Sequence, residues 1–293
     1  MRVTQNITYN TYINDIMRRQ ESLYKLSKQL STGKAVNAPS DDPVKTDKIL
    51  TSKSILSGFE QYDRNMDSAL DYLNTSEDAF ASVKDVIMTL QELATTSATG
   101  TSDASSRANT AVTVDQLYQQ LLTIANTNYD NKYAFAGYET GTEPFDQTGN
   151  YLGDTNSYQV RVNSSGYMTV GVNGGEVFKG VNGGVDIFQT VADLATALNN
   201  NDSAGIQAAG TNLESAFQQV SNAVSDIGGR ITRITSAKND LSSARLDVET
   251  MIGTLEDADI ARVISELTLG QTALEAAMSS AGKVISVNIF DYL

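Results

Sequence analysis

The sequence predicts a mainly α protein: a long coiled-coil-like helical bundle formed by the N- and C-terminal segments, with a small β-rich domain inserted mid-chain. Three observations predict it. Apolar residues recur at alternating spacings of three and four over long stretches near both ends of the chain. Only 3 of the 293 residues are proline, so long helices meet few breaks. Glycine and short alternating runs are concentrated between residues 137 and 186.

The N-terminal half contains three such apolar stripes. The first is followed by Gly33, where a left-handed residue that ends a helix belongs. Pro43 fits the first turn of the next helix. The stripes consist of Tyr9, Tyr12, Ile16, Arg19, Leu23, Leu26 and Leu30; of Ala69, Leu73, Ser76, Phe80, Val83, Ile87, Leu90 and Ala94; and of Val114, Leu117, Leu121 and Ile124.

The middle of the chain changes pattern. Residues 158–162 and 167–172 alternate, and the Asn-Ser-Ser-Gly run at 163–166 between them predicts a hairpin turn. The glycine-rich run GVNGGEVFKGVNGG at 171–184 lacks the spacing and the Lys-Ser/Thr pair of a phosphate-binding loop. We interpret this run as turns of the β insert.

The C-terminal half contains the longest stripe, from Ile206 to Leu255, which predicts roughly 75 Å of helix at 1.5 Å per residue. A helix of this length must pack on other long helices to bury its apolar positions. A final stripe runs from Ile260 to Ile285 but starts one residue out of phase, and the slip falls at residues 256–259. The chain is therefore expected to pass there from one helical layer to another.

These patterns predict three regions. Residues 1–40 plus 257–293 are expected to form terminal helical arms. Residues 41–136 plus 187–256 are expected to form a long helical rod, and residues 137–186 a β-rich inserted domain.

Composition excludes several kinds of chemistry. The chain has no Cys and no His, so it lacks thiolate and imidazole ligands and the commonest general base. The net charge of −14 argues against nucleic acid as a partner. No apolar run has the length of a cleaved signal peptide or a membrane span. We expect no enzymatic activity, no cofactor, no metal site and no membrane insertion.

The stretch LSTGKAVNAPSDDPVK at 30–45 raises the one serious question of chemistry, because an acidic pair could hold a metal or move protons. The calcium-loop pattern is absent, and the prolines favour helix caps and a hinge. A second acidic pair, two residues apart at the phase slip, is also interpreted as a turn or cap. The predicted hinge and cap residues are Gly33, Pro39, Asp41, Asp42, Pro43, Asp257 and Asp259.

The terminal stripes could be ordinary core, as most amphipathic helices are. Their Ser, Thr, Asn and Gln content and small apolar residues instead favour surfaces that become ordered when subunits assemble. The predicted subunit or partner interface comprises Tyr9, Ile16, Leu23, Leu30, Ile260, Ile264, Leu267, Leu274, Met278 and Ile285.

Several of these segments resemble the flagellin family of bacterial axial proteins. QLSTGK at 29–34 with APSDDP at 38–43 is similar to the family's "LSSGK…SPSDDP" turn, and GGRITRI at 228–234 to its "G.R..R" helix segment. LEDADIA at 255–261 is similar to its "EDADxA" joint. YAFAGYET at 133–140 and the ending NIFDYL resemble the members that join hook to filament.

The resemblance implies an extracellular structural protein of the bacterial flagellum, at the hook–filament junction, exported without a cleaved signal peptide. It implies a homo-oligomeric ring of about eleven subunits between the first hook-associated junction protein and flagellin. It further implies that the terminal arms pair as an inner coiled coil and that the β-rich insert is the outer domain. A cytosolic export chaperone is expected on the C-terminal helix, residues 260–285. The alternatives are flagellin itself and a non-flagellar coiled-coil component of a secretion tip or adhesin.

Overall fold

The computed structural model describes residues 2–99, 102–181 and 183–290, and within them the mainly α prediction is confirmed. Unit 1 comprises Met1–Gly58 and Ser243–Leu293, and unit 2 comprises Phe59–Ser242. The elements in order are α1 (Arg2–Thr32), α2 (Pro43–Ala98), α3 (Ala104–Ala125), β1 (Asn128–Tyr129), β2 (Lys132–Tyr133), β3 (Gln159–Arg161), β4 (Tyr167–Thr169), α4 (Gly174–Lys179), α5 (Ile187–Asn199), α6 (Ser203–Glu256) and α7 (Ile260–Phe290).

The long helices of unit 2 bury the stripes that the sequence predicts. All eight positions of the second stripe, from Ala69 to Ala94, are buried on α2. On α6 a fully buried branched residue recurs every seven positions, which is the repeat of helices that pack as coiled coils. These fully buried residues are Ile206, Leu213, Val220, Ile227 and Ile234. None of the helices in the described ranges is long and apolar enough to cross a membrane.

An aromatic cluster forms the centre of the core of unit 2. The ring of Phe178, on α4, lies 5.1 to 5.8 Å from four other phenylalanine rings, measured between centroids. Those rings come from α2, from α5 and from two stretches outside regular elements. The cluster therefore joins parts of the chain that are far apart in sequence, and its members are Phe80, Phe135, Phe145, Phe178 and Phe188.

The predicted hairpin at 158–172 is confirmed, although its strands are short. Strands β3 and β4 pair antiparallel with Val160 opposite Met168, and the Val162 amide donates to the Gly166 carbonyl at 3.1 Å across the turn. A second hairpin, β1–β2, lies ahead of residue 137, where we expected the insert to begin. Its turn residues Asp130 and Asn131 both have positive φ, the conformation that matches the twist of a two-residue hairpin.

The interpretation of residues 171–184 as turns alone is wrong. Residues Gly174–Lys179 form the short helix α4, which begins where the Asn173 side chain accepts hydrogen bonds from the amides of Gly175 and Glu176. Val177 and Phe178 are buried in the core. Burial of these two side chains, together with the cap, overrides the low helix propensity of glycine.

Specific hydrogen bonds hold the middle segment, the residues between α3 and α5 that include the two hairpins, against the long helices of unit 2. The Tyr72 hydroxyl, on α2, donates to the Ala134 carbonyl at 2.6 Å and accepts from the Val172 amide at 3.2 Å. The Arg230 guanidinium, on α6, donates to the Gly171 carbonyl at 2.7 Å. The bonds to Val172 and Gly171 satisfy backbone groups next to the β3–β4 hairpin, and the bond to Ala134 satisfies one next to β2, so together they hold both hairpins in place.

Candidate functional site

The first helix ends at a glycine whose backbone conformation few other residues adopt readily. Gly33 has a φ of +72°, and its amide donates to the Gln29 carbonyl at 2.9 Å. A left-handed residue with this hydrogen bond is a common way to end a helix. Gly33 therefore has the geometry of a C-cap.

Directly after this glycine, the chain pairs with the segment that links α6 to α7. The Ala35 amide donates to the Glu256 carbonyl at 2.7 Å, and the Ala258 amide donates to the Gly33 carbonyl at 2.9 Å. Lys34 and Asp257 form the antiparallel bridge between these two bonds. We call residues 33–43 together with 256–259 the joint, because the link from α1 to α2 and the link from α6 to α7 meet there.

Asp41 closes a turn inside the joint. Its carboxylate accepts from the amides of Asn37 and Ala38 at 3.0 and 2.9 Å, and these bonds lower the pKa of Asp41. Pro39 occupies the second position of the turn that the Asp41 amide closes onto the Ala38 carbonyl, a position that suits its fixed φ. Asp41 therefore organises the loop and does not face the start of α2.

Asp42 and Asp259 each lie at the start of a helix, where the side chain accepts a hydrogen bond from an amide of the first turn. The Asp42 carboxylate accepts from the Lys45 amide at 2.9 Å at the start of α2, whose first residue is Pro43. The Asp259 carboxylate accepts from the Arg262 amide at 3.1 Å at the start of α7. Caps of this kind satisfy amides that have no partner inside the helix. The described residues contain no group of three or more acidic side chains placed to hold a metal ion.

A charge cluster at the joint was missed by the sequence analysis. Glu256 is buried, and its Oε1 accepts from the ammonium groups of Lys34 and Lys53, each at 2.9 Å. Burial alone would raise the pKa of Glu256, but the hydrogen bonds from the two lysines outweigh it and the net shift is downward. The cluster thereby links the end of α6 to the loop after α1 and to α2.

The structure divides the predicted interface residues into two groups. Helix α1 packs along α7, and the face between them holds the partly buried Ile16, Leu23, Leu267 and Leu274. A Cβ added at Gly270 would lie 2.8 Å from Leu23 Cδ2, so the Leu23 side chain packs directly against this glycine. The side chain of Ile285 lies outside the described residues. The exposed group comprises Tyr9, Leu30, Ile260, Ile264 and Met278.

Replacing Gly33 with valine should weaken the joint by about 1–2 kcal/mol, because a β-branched residue resists the left-handed conformation. Nothing lies within 4 Å of the Cβ position, so the effect is one of backbone conformation alone. We expect the Ala35 and Ala258 amides, whose hydrogen bonds close the joint, to exchange with solvent faster in this variant. Gly33→Asn is the matched control, since Asn tolerates this conformation. Equal exchange of these amides in the Val variant and the unchanged chain would contradict a conformational requirement at this position.

Acidification should loosen the joint. Because the pKa of Glu256 is lowered in the folded protein, its contribution to stability is present above its ordinary value of 4.5 and is lost as the pH falls through the shifted value. Hydrogen exchange of the Ala35 and Ala258 amides, followed from pH 6 to pH 3, should show this loss. In Glu256→Gln, the same two amides should already exchange faster at pH 6 and should change less on acidification. An unaltered pH dependence in that variant would exclude Glu256 as the titrating group.

Residues 3–140 match the bacterial flagellin N-terminal helical region, and residues 211–293 match the bacterial flagellin C-terminal helical region. The chain is 26% identical to flagellar hook-associated protein 3 of Salmonella typhimurium, over 99% of both chains. It is 21% identical to a flagellin of Listeria monocytogenes, over 95% of this chain and 94% of the relative.

Solved structures show the same fold. A putative flagellar hook-associated protein from Vibrio parahaemolyticus superposes with a TM-score of 0.69 at 19% identity, over 74% of this chain and all of that one. The flagellar junction protein FlgL from Legionella pneumophila superposes with a TM-score of 0.59 at 17% identity, over 72% of this chain and all of that one.

Proposed function

The chain belongs to the flagellin family, and we propose that within it the protein joins the hook of the bacterial flagellum to the filament. The observation that carries this proposal is the match over 99% of both chains to flagellar hook-associated protein 3. The matched flagellin is less similar and is covered less completely. Flagellin itself is therefore the weaker candidate. The function is structural, and we assign no catalytic role to any residue.

Unit 1 supports an assembling role, because its helices leave large apolar side chains uncovered. Ile7, Met17 and Tyr24 on α1 and Leu269 on α7 are each at least 60% exposed. They add to the exposed members of the predicted interface on the same two helices. Exposed apolar groups at this density are typical of surfaces that associate with other proteins. Neighbouring subunits would cover them in the assembled flagellum.

The proposal extends to the arrangement of the subunits in the flagellum. The resemblance to hook-associated proteins supports a ring of about eleven copies, in which identical head-to-tail contacts would close on themselves. The ring would contact the first hook-associated junction protein on one side and flagellin on the other. The α1–α7 pair would form the inner layer, and the middle segment with its two hairpins would lie outermost. Such a protein works outside the cell, after export without cleavage of a signal peptide.

Before export, a cytosolic chaperone would hold residues 260–285. This segment presents Ile260, Ile264, Leu269 and Met278 as exposed apolar side chains on one helix. An amphipathic helix of this kind suits burial in the apolar groove of a partner. The joint, with its two caps and its charge cluster, would set how α1 and α7 leave the ends of α2 and α6.

The copy number of the protein tests the proposal against flagellin. Sheared flagella would be separated by length and this chain measured by quantitative mass spectrometry. A junction protein should give a small, constant number of copies per filament, whatever the filament length. A copy number that rises in proportion to filament length would instead identify the chain as a filament subunit.

A further inference from the structure

A cavity of about 390 Å³ opens between α2 and the two hairpins of unit 2, and tyrosine rings dominate its walls. This volume is near the lower end of what small-molecule sites occupy. We call it the tyrosine cup. The tyrosines that line it are Tyr72, Tyr129, Tyr133, Tyr138 and Tyr158.

Three of these rings are arranged as the base and walls of a box. The rings of Tyr129 and Tyr158 lie 6.2 and 6.5 Å from the Tyr72 ring, at interplanar angles of 77° and 63°. Tyr72 cannot easily rotate away, because its hydroxyl is bonded to the Ala134 carbonyl and the Val172 amide. The base of the cup is therefore held rigidly by the fold.

The electrostatic surroundings of the cup are negative. Burial raises the pKa of the Tyr129 hydroxyl, and the carboxylates of Asp71 and Asp130 raise it further. Glu143 lies beside Tyr133, with its Oε1 3.4 Å from the hydroxyl. Among the described residues, Asp130 and Lys132 are the charged side chains that line the cup, and Arg230, which is paired with Asp226, also acts on the Tyr72 hydroxyl. Because Arg230 and Asp226 offset each other, the three remaining carboxylates against one ammonium favour a positively charged occupant.

Ring faces and carboxylates together indicate one class of ligand. The face of an aromatic ring attracts a cation, and rings at steep angles surround one on several sides. Lys84 and Arg161 lie over aromatic rings elsewhere in unit 2, at Phe217 and Tyr62. Neither of those rings belongs to the cup. We propose that the tyrosine cup binds an organic cation, an ammonium or guanidinium group carried on a hydrocarbon stem.

The cation could come from a free small molecule or from a protein side chain, and two pairs of probes separate these sources. Choline is compared with 3,3-dimethylbutan-1-ol, which has the same shape without the charge. N-acetyl-arginine amide is compared with N-acetyl-citrulline amide, which replaces the guanidinium with a neutral urea. Binding to the full-length chain is measured by NMR titration of the amides of the two hairpins. At least one cation should bind roughly threefold to thirtyfold more tightly than its neutral partner.

Two variants connect any binding to the cup. Tyr158→Leu removes a wall and should weaken cation binding by a similar factor, whereas Tyr158→Phe keeps the ring and should leave it within about twofold. Lys132→Gln removes the competing ammonium from an exposed position and should tighten binding. This variant also tests the proposal if Tyr158→Leu fails to fold.

Three outcomes would overturn the proposal. Equal binding of charged and neutral partners would make the cup an apolar crevice. Weaker cation binding in Lys132→Gln would mean that the negative surroundings do not select the ligand. Saturable binding of a neutral sugar, such as methyl glucoside, with no response to choline or N-acetyl-arginine amide would identify a carbohydrate site.

Discussion

Replacing Phe178 with alanine should cost unit 2 about 3–5 kcal/mol of stability, the range typical of a buried phenylalanine truncated to alanine. The side chain is fully buried, and its ring contacts four other phenylalanine rings at 5.1 to 5.8 Å. Removing it opens a cavity at the point where α2, α4 and α5 meet. Because helix α4 has only six residues, it depends on this anchor more than a long helix would.

Hydrogen exchange within residues 174–198 measures this effect directly and does not require the whole chain to unfold in one step. Phe178→Leu keeps most of the apolar volume and should cost about 1–2 kcal/mol. Tyr138→Ala removes an exposed ring and should change stability by less than about 0.5 kcal/mol. If Phe178→Ala exchanged no faster than Tyr138→Ala, the aromatic cluster would not be the centre of the core.

Replacing Gly270 with leucine should separate α1 from α7 at a cost of about 1–3 kcal/mol, since extra atoms would be forced into a close contact. Even a Cβ at this position would lie 2.8 Å from Leu23 Cδ2. The loss should appear as faster hydrogen exchange along α1 and, in cells, as fewer retained filaments. Both readouts follow if the α1–α7 pair forms part of the assembling unit.

Gly282 provides a matched control on the same helix. Nothing lies within 4 Å of its Cβ position, so Gly282→Leu should only gain helix propensity, by up to about 1 kcal/mol. Adding Leu23→Ala to Gly270→Leu should restore part of the loss, which a double-mutant cycle measures as coupling between the two sites. Equal effects of leucine at positions 270 and 282 would contradict the packing of Leu23 against Gly270.

Periodicity alone predicted the long helices well, for a physical reason. Every position of the stripe from Ala69 to Ala94 is buried, because a helix with one apolar face packs with that face toward the core. Sequence alone can also suggest the caps at Gly33, Asp42 and Asp259, since each involves only neighbours within four residues. Local chemistry and local spacing carry this information.

Contacts between residues far apart in the sequence could not be predicted from the sequence alone. Lys53 and Glu256 are 203 positions apart, and no pattern in one sequence connects them. Helix α4 was missed because burial of Phe178, a tertiary effect, decides its conformation. The contact between Gly270 and Leu23 was also missed. The apolar stripe from Ile260 to Ile285 passes through the neighbouring Gln271, and a glycine without a side chain does not contribute to an apolar pattern.

Two kinds of information therefore meet in unit 1. The caps that begin and end the helices lie in short sequence segments at 33–43 and 256–259. The hydrogen bonds between Gly33 and Ala258 and between Ala35 and Glu256 arise only when the two ends of the chain come together. Folding of the joint accordingly needs both termini, and a chain that lacks either one should lose the protection of these amides from exchange.

The most direct test of the central claim, that this protein joins hook to filament, is deletion of its gene followed by electron microscopy of the cell surface and an assay for flagellin in the medium. We expect bare hooks, with flagellin released into the medium, because export would continue while the filament has no base to grow on. Intact, motile filaments on the deletion strain would contradict the claim. Bare hooks with no filament protein in the medium would also contradict it, since the chain would then be the filament subunit itself.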